Sequence, residues 1–170
     1  PDDTVSVWRR AAEPPLLAAP RADVAAEARV SVHALTAADL AEVAAFDAPR
    51  FGADRRAVLA ALLMERPEHA WLARDSSGAM VGFLIAQVAN LGPWVAGSPA
   101  AARALLTVAL ALPFESGPQA LVPAANAQAA ALLAAAGFSV TRSLQHMRRG
   151  GAPLLERRRT AYGQASFALG

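Results

Sequence analysis

The chain has 170 residues, 16 basic and 14 acidic side chains for a formal charge of +2, and 55% hydrophobic positions. One domain of this size, with at most an appendage, buries about 68–70% of the surface its unfolded chain exposes, enough for a core without metal or disulfide staples. Cysteine is absent, which excludes thiolate catalysis, zinc–thiolate sites and disulfide frameworks and fits a reducing interior.

The sequence pI near 10.3 does not signal nucleic-acid binding. Every basic residue is arginine and the one tyrosine is Tyr162, so almost nothing titrates between neutrality and strong alkali, and a surplus of two charges survives to high pH. Spanning a bilayer takes about 20 consecutive apolar residues. Two uncharged stretches, 76–102 and 116–141, are long enough, but Gly82, Asn90, Gly92 and Pro93 break the first and Pro123, Asn126, Gln128 and Gly137 the second. No basic, apolar leader opens the chain, and the sequence reads as a soluble cytoplasmic protein.

In chain order, residues 4–10 (TVSVWRR) alternate as a short strand with no nearby partner. Residues 11–29, with Pro14, Pro15 and Pro20, read as a linker. The expectation is a fragment of a longer protein, with residues 1–10 the final strand of a preceding domain; an ordinary edge strand is the alternative. From residue 30 a compact pattern begins. A strand over 30–35 leads to Thr36 and Asp39, a capping-box spacing. A helix with Leu40, Val43 and Ala44 on one face fades at Pro49. A turn at Phe51-Gly52 precedes a second helix over 54–66.

Strands over 69–74 and 79–88 flank Asp75-Ser76-Ser77-Gly78, which has hairpin turn chemistry. A third strand, 91–96, ends before Ser98-Pro99, a cap followed by proline at the first helical position. A strand over 118–122, an alanine–leucine helix over 126–136 stopped by Gly137, a long strand over 138–148 and a last strand over 159–169 complete the chain. This order excludes a helical bundle and a strict βαβ alternation, and predicts an α/β fold with a mixed central sheet and helices on both faces.

Residues 126–138, NAQAAALLAAAGF, resemble the N-x-x-A-x-x-L-(Y/L)-x-x-x-G-F signature of the GNAT acyltransferases at every spacing. With the element order, the likeness spans about 140 residues and implies a GNAT-like acyl-CoA N-acyltransferase fold of about seven strands over 30–170. DAPRFGADRR (47–56), GPWVA (92–96), HMRRG (146–150) and YGQASFALG (162–170) are similar to the C-terminal domain of two-domain GNAT proteins, the group that includes holothin acyltransferase. In that setting residues 1–10 belong to a preceding N-terminal GNAT domain. The sheet edges bared by its removal favour homo-oligomerisation.

The resemblance implies acetyl-CoA or another acyl-CoA as co-substrate, a small-molecule amine as acceptor, and no metal. In the family the CoA pyrophosphate sits on N–H groups at a helix N-terminus, and the usual loop reads R/Q-x-x-G-x-G/A. The matching residues are Gly97, Ser98, Pro99, Ala100, Ala101 and Ala102. The polar first residue and the first glycine are absent, Pro99 has no N–H, and donors from Ala100, Ala101 and Ala102 remain. The alternative is a capped helix start. The thioester would lie in a splay between the strands 91–96 and 118–122, lined by Trp94, Val95 and Ala96. Asn126 would contact CoA or merely cap its helix.

The family's general acid, a tyrosine, is replaced by Leu133. Candidate bases are Glu68, His69, Asp75 and His146, with His146 preferred as catalytic. Phe51 and Arg55 border the acceptor in the resemblance and suit a planar or carboxylate-bearing substrate; a helix-capping turn is the alternative. Arg148, Arg149 and residues 157–159 read as polar strand ends and loop. Two functions remain in view: an acyl-CoA-dependent N-acyltransferase, or a non-catalytic C-terminal half that shapes the acceptor site or supports a catalytic N-terminal half.

Overall fold

Strand β4 (Met80–Ala86) divides the core in two. Successive strand side chains point to opposite faces; Leu84 joins one apolar cluster, Phe83 and Ile85 the other. In the computed structural model, which describes residues 3–11, 30–147 and 155–168, each face of this strand is covered by a helical layer. Helices α1 (Leu40–Phe51) and α2 (Arg56–Glu65) bring Val43, Leu59 and Leu63 to the Phe83 face. Helices α3 (Pro99–Ala109) and α4 (Ala127–Ala135) bring Leu105 and Leu133 to the Leu84 face.

Two sheets carry the described strands. The larger joins β2 (Ser31–Ala34), β3 (Ala70–Arg74), β4, β5 (Leu91–Ala96) and β8 (Ala161–Gly163) in that order. The smaller places β1 (Asp3–Arg9) between β6 (Gln119–Pro123) and β7 (Ser139–His146). Every ladder is antiparallel. The architecture is the mixed α/β arrangement with helices on both faces that the element order implied.

Local signals act where the sequence placed them. The Thr36 backbone N–H and hydroxyl both donate to the Asp39 carboxylate, at 2.8 and 2.7 Å, and a 3-10 turn over Ala37–Asp39 leads into α1. Asp75 accepts from the Ser77 and Ala79 N–H groups to close the β3–β4 turn.

Several expectations need correction. Strand β1 is not partnerless: it fills a gap one strand wide between β6 and β7, and Val5 and Val7 are buried there with Leu121. Helix α1 does not fade at Pro49 but runs through it to Phe51. Proline removes only one ladder donor, and the chain turns out at Gly52, whose φ of 99° lies in the left-handed region that glycine enters without strain. His69 sits in a 3-10 turn ahead of β3. The last strand shrinks to the three residues of β8, preceded by a short helix, α5 (Leu155–Arg158), that hydrophobic periodicity did not mark. Seven strands, β2 to β8, are described over residues 30–168, the number expected there, and β1 adds an eighth from outside that range. The linker over 12–29, Arg148, Arg149 and the end of the 162–170 motif lie outside the described residues.

Candidate functional site

Strands β5 and β6 touch through one parallel bridge, Asn90 to Gln119, and then diverge. The two are therefore splayed, as the resemblance implies, but the gap is not open. Strand β8 lies in it, pairing Gly163 with Trp94 and Ala161 with Val95 on the β5 side. On the β6 side the Gln164 N–H donates to the Leu121 carbonyl at 2.9 Å.

The filling is an integral part of the fold. Asn90 Nδ2 donates to the Gln164 and Ala165 carbonyls at 2.9 and 3.0 Å, and Gln87 Nε2 donates to the Gly92 and Ala165 carbonyls at 2.6 and 2.8 Å. Asn126 Nδ2 donates to the Ala161 carbonyl at 3.0 Å. Backbones meet where β8 crosses the start of β5: a Cβ on Gly163 would lie 2.0 Å from the Leu91 carbonyl oxygen, and one on Gly92 would lie 2.3 Å from that of Gln164. Two glycines permit this approach, which no side chain tolerates.

The residues present do not fit an acyl-CoA bound in the family's manner. Around the expected pyrophosphate cradle, the Ala101 N–H donates to Ser98 Oγ at 3.2 Å and the Ala102 N–H to the Ser98 carbonyl at 3.1 Å. Pro99 has no N–H, so only Ala100 retains a donor, and the segment is a capped helix start. On β5, the Ala96 N–H donates to the Thr160 carbonyl at 3.1 Å. Trp94 is fully buried, its ring 5.2 Å from that of Tyr162. Asn126 is buried and caps α4, its Oδ1 accepting from the Ala129 N–H at 3.0 Å. Leu133 is buried in the core.

A different cavity gathers four of the sequence-derived candidates. A cleft of about 580 Å³ opens between the end of α1, the end of β7, α5 and β8, and Phe51, Arg55, Val95 and His146 all line it. Ala96, Ala100, Ala101, Ala102, Trp94 and Asn126 do not. Arg55 is fixed by a buried fork, its Nε and Nη2 donating to the Asp47 carboxylate at 2.6 and 2.9 Å, and its guanidinium stacks 4.0 Å from the Phe51 ring centroid. Next to Phe51 in the last turn of α1, Arg50 stacks 3.6 Å over Phe46, one turn earlier, and donates to the Phe46 carbonyl at 2.7 Å. Burial lowers the Arg50 guanidinium from its ordinary value, and Asp47 opposes that shift.

Of the candidate bases, His146 is the one that reaches the cleft, at the end of β7 opposite Asp3. Glu68 lies 3.6 Å from His69 beside the 3-10 turn, and Asp75 is engaged in the β3–β4 turn. Tyr162 is buried in β8, its hydroxyl donating to Gln128 Oε1 at 3.2 Å, and burial raises its pKa above the ordinary value of 10.0. The unfolded chain therefore ionises first, and stability present below that value is lost as pH rises through the folded pKa. Because Tyr162 is the only tyrosine, phenolate absorbance reports it alone. We expect the absorbance to rise above pH 10 together with loss of far-ultraviolet circular dichroism; a midpoint at or below 10 in the folded chain would mean the ring is not buried.

Sequence reasoning missed Arg50, Arg157, Arg158 and Gln164 as cleft residues. Arg157 and Arg158 were expected in a strand end or loop, but α5 turns them toward the cleft beside α1. The available signal was five arginines against the single Glu156 over residues 148–159. Among the described residues, no cluster of His, Asp and Glu is placed to hold a metal ion, and no helix is long and apolar enough to cross a membrane.

Comparison with known proteins accords with this architecture. The crystal structure of "a putative acetyltransferase" from Pyrococcus horikoshii superimposes with a TM-score of 0.69 at 23% sequence identity. It covers 99% of this chain, which spans only 52% of that protein's chain. No curated protein matches. Residues 43–163 match the family described as "Acetyltransferase (GNAT) domain". That match takes in α2 through β8 with most of α1, and the chain belongs to the GNAT acetyltransferase family.

Proposed function

We propose that this GNAT domain is the acceptor-side half of a two-domain acyltransferase. The whole enzyme transfers an acyl group from a CoA thioester to a small-molecule amine, and the thioester is held by a second, N-terminal GNAT domain. The observation that carries this reading is β8 in the splay: the groove for a pantetheine arm is filled by the chain's own backbone, with hydrogen bonds on both sides. The engaged donors at Ser98 and the alkyl side chain of Leu133 point the same way. The twofold length of the Pyrococcus horikoshii chain supports a tandem arrangement, and the cleft supplies a place for an acceptor. A cysteine-free chain suits a cytoplasmic enzyme.

Thermal unfolding with and without acetyl-CoA tests the reading, with inorganic pyrophosphate at equal concentration as the control for simple anion binding. A ligand at 100 times its dissociation constant adds about 2.7 kcal/mol, or about 5–10 °C for a chain of this size. We expect acetyl-CoA at millimolar concentration to shift the transition no more than pyrophosphate does. A shift of several degrees specific to acetyl-CoA would place the co-substrate on this domain and overturn the assignment.

A further inference from the structure

We infer that the cleft receives an organic anion: a carboxylate carried on an apolar body of about aromatic-ring size. The inference rests on the acceptor-side reading of this domain and names the class of molecule the acceptor site takes.

Charge is the first argument. Among the described residues, Arg50, Arg55, Arg157 and Arg158 line the cleft, and no aspartate or glutamate does. Two of these guanidiniums are answered from behind the wall, Arg55 by Asp47 and Arg158 by Asp3, the latter at 2.6 Å with both side chains largely buried. Arg50 and Arg157 have no ion-pair partner among the described residues. Glu156, next in sequence to Arg157, pairs with Arg159 at 3.2 Å on the outside of α5. The lining thus holds two more guanidiniums than the carboxylates beside it. Arg50 is moreover half-buried, with a single hydrogen bond to the Phe46 carbonyl among the described residues, so most of its planar fork remains for an incoming carboxylate.

The apolar wall is the second argument. Phe51, Val95, Leu144, Met147 and Phe167 line the same cleft. Met147 is 80% and Phe167 50% exposed, an apolar rim that a bare inorganic anion would leave wet. The volume, about 580 Å³, falls in the range of about 300–1,000 Å³ typical of small-molecule sites. Guanidinium forks and apolar side chains in one cleft fit an amphipathic carboxylate, with the acyl-accepting amine carried on the same body, better than a bare inorganic anion.

Fluorescence and calorimetric titration with dansylglycine, a carboxylate on an aromatic body, and with its uncharged counterpart dansylamide test this. We expect one site, at least tenfold tighter for dansylglycine, with the difference shrinking as salt rises. Arg50→Gln with Arg157→Gln should remove the preference. Arg157 is exposed, so Arg157→Gln alone carries the test if the double variant does not fold, with a loss of about threefold or more. Equal affinity for the two probes, or a preference unchanged in the variants, would overturn the inference. An acetyl-CoA-specific thermal shift alongside an intact dansylglycine preference would sink the acceptor-side reading and leave the anion site standing.

Discussion

Gly163→Ala is expected to destabilise the chain by about 3 kcal/mol, lowering the thermal midpoint by about 6–12 °C. The added methyl would lie 2.0 Å from the Leu91 carbonyl oxygen, a backbone atom held in the β5 ladder. Relief requires β8 and β5 to separate, which breaks the Trp94–Gly163 pairing and the hydrogen bonds from Asn90 and Gln87 that hold the following carbonyls. Gly97→Ala provides the contrast. Its Cβ would meet the nearest atom at 3.5 Å, an ordinary contact, and its effect should stay within about 0.5 kcal/mol. Urea unfolding of both variants decides the matter: a Gly163→Ala chain as stable as the parent would mean that β8 does not occupy the splay, and the case against CoA binding here would lose its main support.

Asp47→Ala is expected to cost about 3–5 kcal/mol. Asp47 is 1% exposed and Arg55 8%, so removing the carboxylate takes the bidentate counter-charge from a buried guanidinium at the junction of α1 and α2. Arg55→Met strands the carboxylate instead and should cost a similar amount. Combining Asp47→Ala with Arg55→Met leaves neither charge of the pair and should recover much of the loss, so the double-mutant cycle should show a coupling of about 2 kcal/mol or more. Additive effects in denaturant unfolding would contradict the bidentate geometry. The pair also orients Phe51 beneath Arg55 at the cleft wall, so any variant that folds should bind dansylglycine less well.

Local physics made much of this fold legible in the sequence. The Asp75-to-Gly78 turn between β3 and β4, the cap and proline opening α3, and the Gly137 stop after α4 depend on neighbours a few residues away, and they appear where the spacing placed them. The signature over 126–138 identified the family. What could not be read is what long-range pairing decides. Three residues, Ala161 to Gly163, carry no periodicity that separates an edge strand from a plug, and their position follows from glycines more than seventy residues apart and from the amides of Asn90 and Gln87. Phe51 and Arg55 were found because they sit in a short motif. Their cleft partners Arg50 and Arg157 were not, because α1 and α5 meet only in the folded chain. Asn126 offered two readings, and the capping geometry with its bond to Ala161 accounts for both polar ends of the side chain.

The position of β1 has a consequence for the order of assembly. Its contacts reach across 110 residues to Gln119 and 137 residues to Ser143, so β1 is synthesised well before either neighbour and is among the last elements of this domain to find its place. Until β6 and β7 are both synthesised, Val5 and Val7 have no apolar surface to meet and the two later strands present facing unsatisfied edges. Closure of the small sheet is therefore a late, slow event gated by loop entropy, and shelter for β1 until both neighbours are made favours the yield of folded chain.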